Sequence, residues 1–147
     1  MIEAFSDGAC RGNPGEGGWG VVIRDDAGER ELSGYSAQTT NNQMELTAAI
    51  EALRAIPAGA EVRLVTDSRY VVDGITSWIH GWIRRDWRKA DKKPVLNKEL
   101  WQALHLEAQR RSVSWEWVRG HAGHPENERC DELANEAIDR RSGPLAR

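Results

Sequence analysis

In the segment NNQMELTAAIEALRAIP, residues 41–57, apolar residues recur every three to four positions. Before this segment they recur every second position. The spacing within the segment predicts an amphipathic helix, with Asn41 as its N-cap and Pro57 as its stop. The apolar run VRLVT, residues 62–66, follows and is typical of a buried strand. A helix that leads into such a strand predicts an α/β fold. The apolar stripe of the helix comprises Leu46, Ala49, Ile50, Leu53 and Ile56.

The residues before this helix predict three strands. Residues 2–6 suit a short strand, and the glycine-rich residues 8–18 suit a long turn. Residues 19–24 and 32–37 are rich in β-prone side chains and are separated by the turn sequence DDAG, so they predict a hairpin. The chain therefore begins as an antiparallel meander.

The residues after the buried strand predict helices and one more strand. Residues 68–83 suit one or two short helices broken near Gly74, and Asn97 is a candidate cap for the next helix. Residues 113–117 alternate between apolar and polar, as in a strand, and Pro125 suits the first turn of a closing helix. The order β-β-β-α-β-α-α-β-α predicts an α/β domain with the meander at one edge and parallel strands behind it.

Charge is unevenly distributed along the chain. Its 147 residues suit one domain, residues 1–147, and carry a formal net charge of -3. Residues 84–98 hold seven Lys or Arg against Asp86 and Asp91, a local charge of +5 that leaves -8 elsewhere. This asymmetry predicts a polyanionic partner, although a charge run alone is more often a solvated helix face. We place the cations on a basic protrusion at about 78–98.

The cysteines and the hydropathy of the chain indicate where it works. Cys10 and Cys130 form no disulfide framework, and the sequence shows no signal-peptide pattern. It also lacks an apolar run of the roughly 20 residues that a membrane span needs. These features predict a soluble, cytoplasmic protein with no membrane partner.

Four acidic residues are predicted to meet at one edge of the sheet. Asp7 ends the first strand and Asp67 ends the strand after the helix, and a right-handed parallel connection makes these strands neighbours. Glu45, in the first turn of the helix, and Asp131, on the closing helix, add two carboxylates at the rim. Adjacent strands lie about 4.8 Å apart, which lets end carboxylates bridge two divalent ions about 3.5–4 Å apart. All-oxygen ligation favours Mg²⁺ or Mn²⁺, although any single Asp or Glu is more often a capping or surface residue.

The stretch GHAGHPENERCD, residues 120–131, suggests a different metal when viewed alone. His121, His124 and Cys130 have the ligand types of a zinc site. If Asp131 joins three distant carboxylates, however, a hard cation is expected there. We then interpret His124 as part of a helix start and Cys130 as a small core residue.

Four motifs resemble bacterial ribonuclease H type I. They are SDGACRGNPG (6–15), TTNNQMEL (39–46), TDS (66–68) and GHAGHPENERCDELA (120–134), in order along nearly the whole chain. The resemblance implies a mixed five-stranded sheet with helices on both faces. It also implies an endonuclease that hydrolyses the RNA strand of RNA/DNA hybrids, leaving 5′-phosphate and 3′-hydroxyl ends. The implied cofactor is Mg²⁺, with one or two ions per site and Mn²⁺ as a substitute.

The family's catalytic residues fall on the acids already identified. By resemblance, the metal ligands are Asp7, Glu45, Asp67 and Asp131. His121 matches the histidine that handles protons or assists product departure, a role that suits a side chain with a pKa near neutrality between glycines.

The resemblance also implies a hybrid-binding surface, including a pocket for a DNA phosphate at Thr40 and Asn13. Groove residues by this resemblance are Cys10, Asn13, Asn41, Asn42, Gln43 and Arg69. Protrusion residues are Trp78, Trp82, Arg84, Arg85, Trp87, Arg88 and Lys89. The tryptophans could pack instead, and we expect at least one to be buried. Gln38, Ile83 and Asp86 depart from the family pattern, which predicts weaker substrate binding.

Two other functions are compatible with parts of the sequence. A non-catalytic hybrid-binding protein would need the basic segment but not the four acids. Another nuclease or strand-transfer enzyme on the same sheet would share the acids but not the asparagine-rich motifs. The full combination favours a monomeric enzyme whose partner is an RNA/DNA hybrid.

Overall fold

A computed structural model describes residues 1–120 and 123–140, in which one five-stranded sheet carries helices on both faces. The strands are β1 (Ile2–Arg11), β2 (Gly15–Asp25), β3 (Gly28–Thr39), β4 (Glu61–Thr66) and β5 (Ser112–Trp117). Their order is β3-β2-β1-β4-β5, with β1, β2 and β3 antiparallel and β4 parallel to both β1 and β5. The predicted α/β fold, with a meander at one edge, is confirmed.

The helices cover the two faces of this sheet. They are α1 (Asn41–Arg54), α2 (Arg69–Asp73), a π-helical turn (Gly74–Trp78), α3 (Ile79–Arg84), α4 (Lys98–Gln109) and α5 (Pro125–Arg140). Ala4 belongs to the core that includes α1 and α4, whereas the next residue, Phe5, packs with Leu133 of α5. This alternation follows from the two-residue period of a strand. No helix in the described ranges is long and apolar enough to cross a bilayer.

The prediction of a long turn over residues 8–18 was wrong, because β1 and β2 extend through most of these glycines. The turn itself is short and includes Gly12, whose φ is 76°. A Cβ on Gly8 would lie 2.5 Å from the backbone of α1, and a Cβ on Gly20 would lie 2.3 Å from a backbone oxygen of α5. These glycines therefore allow helices to approach the sheet backbone rather than allowing the chain to turn.

The predicted cap of α1 is wrong, whereas Asn97 occupies the N-cap position of α4, as predicted. Thr40, not Asn41, caps α1, because its hydroxyl accepts a hydrogen bond from the amide of Gln43 at 3.2 Å. Asn97 precedes α4 but makes no side-chain cap bond. Its side chain instead accepts a hydrogen bond from Gln43 and donates one to Tyr70, each at 3.1 Å. Asn97 therefore links the base of the protrusion to the start of α1.

Trp101, fully buried on α4, determines the packing beneath the protrusion. The predicted break near Gly74 is confirmed as a change of helix type, because α2 ends at Asp73 and a π-helical turn begins at Gly74. A Cβ on Gly74 would lie 2.0 Å from the Trp101 ring. Trp82 and Trp87 are only half-buried and Trp78 is 42% exposed, so the expectation that one of these three is buried was wrong. Trp101 occupies the interior position instead, with the Trp82 ring centroid 5.3 Å away.

A buried ion-pair cluster joins α1 to the end of α4. The Glu107 carboxylate accepts hydrogen bonds from Arg111 at 3.0 Å and from Arg54 at 3.4 Å. Burial acts to raise the pKa of Glu107, but the hydrogen bonds from Arg111 and Arg54 outweigh it, so the pKa lies below its ordinary value. The ionised carboxylate therefore stabilises the folded state.

Glu107→Gln is expected to lower the free energy of unfolding by about 2 kcal/mol at pH 7, since it removes the charge that balances buried Arg111. The folded pKa is below the unfolded one, so this contribution is present above the unfolded pKa of about 4.3 and is lost as pH falls through the folded value. Urea unfolding at pH 7 and pH 3 measures the difference. Glu51→Gln, which breaks a more exposed pair with Arg54, should cost about 0.5 kcal/mol or less. An effect of Glu107→Gln that is equal at both pH values would contradict this account.

Candidate active site

Three carboxylates meet where the parallel pairing of β1 and β4 ends. The last paired residues are Ser6 and Thr66, and Asp7 and Asp67 follow them. Glu45 joins them from α1, and carboxylate oxygens of the three residues lie within 4.8 Å of one another. The predicted adjacency of the two strands is confirmed, although β1 does not end at Asp7 but continues along β2 to Arg11.

One backbone amide holds two of these carboxylates. The N–H of Gly8 donates to Asp7 Oδ1 at 2.9 Å and to Glu45 Oε1 at 3.1 Å. Asp7 and Glu45 are 5% and 6% exposed, whereas Asp67 is half-buried. The missing Cβ of Gly8 lets the start of α1 approach closely enough for this shared contact.

The electrostatics of the cluster favour a bound cation. Burial, followed by repulsion from Asp67 and Asp131, raises the pKa of Asp7 to about 8. Burial, followed by repulsion from Asp7 and Asp67, also raises the pKa of Glu45 well above its ordinary value. A divalent ion would relieve this repulsion, and a set of carboxylate oxygens fits a hard ion such as Mg²⁺ or Mn²⁺.

Asp131 approaches the cluster from the opposite face of the sheet. It is half-buried on α5 and lies outside the group of mutually close oxygens, with Oδ1 accepting a hydrogen bond from Asn135 at 3.3 Å. Its charge nevertheless raises the pKa of Asp7. The neighbouring Cys130 is fully buried among apolar side chains, and burial raises the pKa of its thiol strongly. The position of Cys130 matches the predicted core role.

Of the two histidines in residues 120–131, His124 lies within the described residues and His121 does not. The backbone oxygen of His124 accepts a hydrogen bond from the amide of Glu128 at 2.9 Å, at the start of α5. His121 lies outside the described residues, and its proton-handling role stays a prediction.

Gly120 lies against Asp67, a contact that the sequence did not predict, since it indicated only a flexible neighbour of His121. A Cβ at this position would lie 2.6 Å from Oδ2 of Asp67. We expect Gly120→Ala to lower the activity of the protein roughly tenfold at fixed divalent ion, because a shift of about 1 Å in a reacting group can cost this much or more. The melting temperature should change little. Reaction rates of wild type and Gly120→Ala, measured at increasing concentrations of divalent ion, would show this loss of activity.

A suitable control is Gly28→Ala in the β2–β3 turn, where no atom lies within 4 Å of the added Cβ but φ is 128°. That variant should lose stability through backbone strain while its specific activity is retained. Full activity in folded Gly120→Ala would contradict the contact with Asp67.

Most of the predicted groove residues lie at or beside the start of α1, whereas Arg69 begins α2. The Asn13 side chain accepts a hydrogen bond from the Asn41 amide at 2.9 Å, and the Cys10 thiol lies 3.4 Å from the Thr39 carbonyl oxygen. Asn97, which the sequence reasoning treated only as a cap, joins this group through Gln43. The phosphate-binding role of Thr40 and Asn13 stays a prediction.

The basic protrusion is mostly irregular between α3 and α4. An isolated bridge pairs Arg88 with Pro94, and Asp86 and Trp87 have φ values of 56° and 63°. Four predicted substrate-binding cations are exposed, as is the indole of Trp78. These cations are Arg84, Arg85, Arg88 and Lys89. Their nucleic-acid contacts stay predictions.

Comparison with known proteins gives a consistent assignment. The RNase H family model matches residues 1–139. Ribonuclease H of Halorhodospira halophila is 61% identical over 139 residues, covering 95% of this chain and 93% of the relative. Ribonuclease H of Rhizobium meliloti is 59% identical over 138 residues, covering 94% of this chain and 90% of the relative.

Solved structures show the same similarity. LC9-RNase H1, a type 1 RNase H with the type 2 active-site motif, aligns with a TM-score of 0.84 and 38% identity, covering 94% of this chain and 72% of that one. LC11-RNase H1 in complex with an RNA/DNA hybrid aligns with a TM-score of 0.72 and 32% identity, covering 95% and 97%. Because sequence and structure both match over nearly its whole length, the chain belongs to the ribonuclease H family.

Proposed function

We propose that this protein is an endoribonuclease that hydrolyses the RNA strand of RNA/DNA hybrids, leaving 5′-phosphate and 3′-hydroxyl ends. The observation that carries the proposal is the carboxylate cluster, in which buried Asp7 and Glu45 share the Gly8 amide and Asp67 lies beside them. Support comes from relatives named Ribonuclease H and from the hybrid-bound LC11-RNase H1 structure. The carboxylates proposed to hold one or two Mg²⁺ ions, with Mn²⁺ as a substitute, are Asp7, Glu45, Asp67 and Asp131.

The residues at the site have different proposed roles, in binding the ion and in handling protons. Bound Mg²⁺ would supply Lewis-acid stabilisation of charge at the scissile phosphate and would lower the pKa of water. The Gly8 amide fixes the orientation of Asp7 and Glu45, so little reorganisation is needed during the reaction. Burial and the neighbouring carboxylates raise the pKa of Asp7 to about 8, and a bound cation would favour its ionised form. His121 is proposed to exchange protons near the leaving 3′ oxygen or to assist product departure.

We propose that hybrid recognition uses the groove at the start of α1 and the basic protrusion. The exposed cations would contact phosphates, so affinity should fall steeply with salt. The proposed groove residues are Cys10, Asn13, Thr40, Asn41, Asn42, Gln43 and Arg69. On the protrusion they are Trp78, Trp82, Arg84, Arg85, Trp87, Arg88 and Lys89.

The proposal extends to organisation and location. We propose that residues 1–147 form one catalytic domain that acts as a monomer, because one chain supplies all four carboxylates. Free Cys10 and Cys130 suit the reducing cytoplasm, which is the proposed compartment.

One gel experiment tests this function. The protein is incubated with labelled RNA/DNA hybrid, duplex DNA, duplex RNA or single-stranded RNA, each with Mg²⁺, Mn²⁺ or a chelator. We expect cleavage only of the RNA strand of the hybrid, and none with chelator. Binding without cleavage would instead indicate a non-catalytic hybrid-binding protein, and cleavage of duplex DNA would indicate a different nuclease.

A further inference from the structure

Trp117, the last residue of β5, makes a direct contact with the backbone of the active site. Its indole N–H donates a hydrogen bond to the carbonyl oxygen of Asp67 at 3.0 Å. The next residue, Val118, donates its amide to Thr66 at 3.0 Å, which fixes the strand end beside Asp67. The Trp117 side chain is nevertheless 38% exposed. The indole therefore contacts the main chain of Asp67 at one edge and is exposed to solvent at the other.

The exposed part of Trp117 carries a cation. The Arg69 guanidinium carbon lies 4.8 Å from the centroid of the Trp117 ring. Arg69 is exposed at the first position of α2. Among the described residues, no carboxylate forms an ion pair with Arg69, whereas Arg24 and Arg129 each pair with three. Arg69 is thus held by an aromatic ring next to the active site and lacks an anionic partner in this part of the chain.

This arrangement suits a phosphate ligand. A guanidinium stacked on a ring keeps its N–H donors available at its edge, and these donors match two oxygens of a phosphate. The ring also limits the side-chain conformations of Arg69, which lowers the entropic cost of binding. The turn between Asp67 and Arg69 is fixed as well, since the Ser68 hydroxyl accepts a hydrogen bond from Val71 at 3.1 Å. The cation and the carboxylate therefore have a defined relative position.

We infer that Trp117 is a positioning residue that fixes the backbone of Asp67 and holds Arg69 against a backbone phosphate of the nucleic acid beside the cleaved bond. This inference rests on the proposed function. It adds a residue, Trp117, that links substrate binding by Arg69 to the position of the carboxylate cluster. Its two contacts predict two separable defects. Loss of the ring should weaken hybrid binding, whereas loss of the N–H alone should weaken the use of divalent ion.

A double-mutant cycle tests the coupling with wild type, Arg69→Gln, Trp117→Leu and the double variant. The dissociation constant for a hybrid is measured in chelator, where no cleavage occurs. We expect Arg69→Gln to weaken binding roughly tenfold, as for loss of a charge-assisted contact. Trp117→Leu should weaken it roughly three- to fivefold. The double variant should bind about as weakly as Arg69→Gln alone, because Trp117 acts through Arg69.

Conservative variants separate the two contacts. Trp117→Phe keeps a ring but loses the N–H, so hybrid affinity should stay within about twofold of wild type while half-maximal activity requires roughly two- to threefold more Mg²⁺. Arg69→Lys keeps the charge but not the flat stack and should weaken binding roughly threefold or more. Arg110→Gln, an exposed arginine at the end of α4, removes the same charge elsewhere and should leave binding unchanged.

The outcomes distinguish this inference from the proposed function. Failure of wild-type protein to cut hybrid would overturn the proposed function. Additive effects of Arg69→Gln and Trp117→Leu in an otherwise active enzyme would overturn only the role of Trp117. Equal affinities of Arg69→Lys and wild type would do the same, and that variant changes an exposed side chain, so it serves if Trp117→Leu fails to fold.

Discussion

We expect Asp7→Asn to abolish hybrid cleavage and at the same time to stabilise the metal-free protein. We expect the rate to fall by roughly a thousandfold or more, because the substitution removes a charged ligand from the centre of the cluster. The gain in stability has the same origin. Asp7 is buried beside Asp67 and Glu45, so its ionised form is unfavourable when no cation is present.

The sign of the pH dependence follows from the raised pKa. Asp7 titrates at about 8 in the folded protein and near 3.9 in an unfolded chain. Between these values the folded state holds a proton that the unfolded state has lost, so the stability of the wild type falls as pH rises from about 4 to about 8. The asparagine variant has no such group. Its advantage should therefore grow with pH and reach on the order of 5 kcal/mol at pH 8, because each pH unit between these pKa values contributes about 1.4 kcal/mol.

Thermal unfolding in chelator at pH 5 and pH 8 measures this effect. Mg²⁺ should stabilise the wild type more than Asp7→Asn, because only a folded, intact site binds the ion. Glu61→Gln, which removes an exposed charge at the start of β4, is the matched control and should change stability by about 0.5 kcal/mol or less. A verified Asp7→Asn preparation that still cuts hybrid would refute the metal assignment.

Gly8→Ala should cause the largest loss of stability among the substitutions considered. Its Cβ would lie 2.5 Å from the Glu45 amide nitrogen and 2.8 Å from the Met44 Cβ. Backbone atoms cannot rotate away as a flexible side chain can, so α1 must move off β1. We expect a loss of about 3 kcal/mol or more in the free energy of unfolding, at the upper end of overpacking effects. Hydrolysis should also fall, because Glu45 moves with the helix.

Gly81→Ala is the matched control for this prediction. Its added Cβ would lie 2.9 Å from the end of the flexible Arg85 side chain, which can shift at little cost. Since Gly81 lies in α3, alanine should be neutral or stabilising by up to about 1 kcal/mol. Denaturant unfolding of both variants gives the comparison. Equal unfolding free energies of Gly8→Ala and Gly81→Ala would contradict this prediction, because they would show that α1 can move away from β1 at little cost.

Local patterns predicted the elements that bring the acids together. The apolar spacing of residues 41–57 located α1, and the run before Asp67 located β4. Their order made β1 and β4 parallel neighbours, which the structure confirms. The sequence therefore predicts that Asp7 and Asp67 lie side by side, because their proximity depends on strand pairing alone.

Contacts between distant residues could not be predicted in this way. Gly8 and Gly18 resemble turn residues in sequence, but in the fold they accommodate the backbones of α1 and α5. The partial burial of Trp82 likewise depends on its contact with Trp101 of α4, whose ring centroid lies 5.3 Å away. Gly120 and Trp117 lie close to Asp67, although they belong to the end of β5 and the residues after it. The spacing of residues along the sequence does not indicate this proximity.

The glycines of β1 and β2 also set the thickness of the molecule at the active site. Gly8 faces α1 and Gly20 faces α5, so at this point both helices rest on bare backbone. Glu45 and Asp131 come from these two helices on opposite faces, so the gap between their carboxylates is set by main-chain contact. The size of that gap should be insensitive to substitutions elsewhere in the core, such as Leu46→Met, that alter side-chain packing but leave these glycines intact.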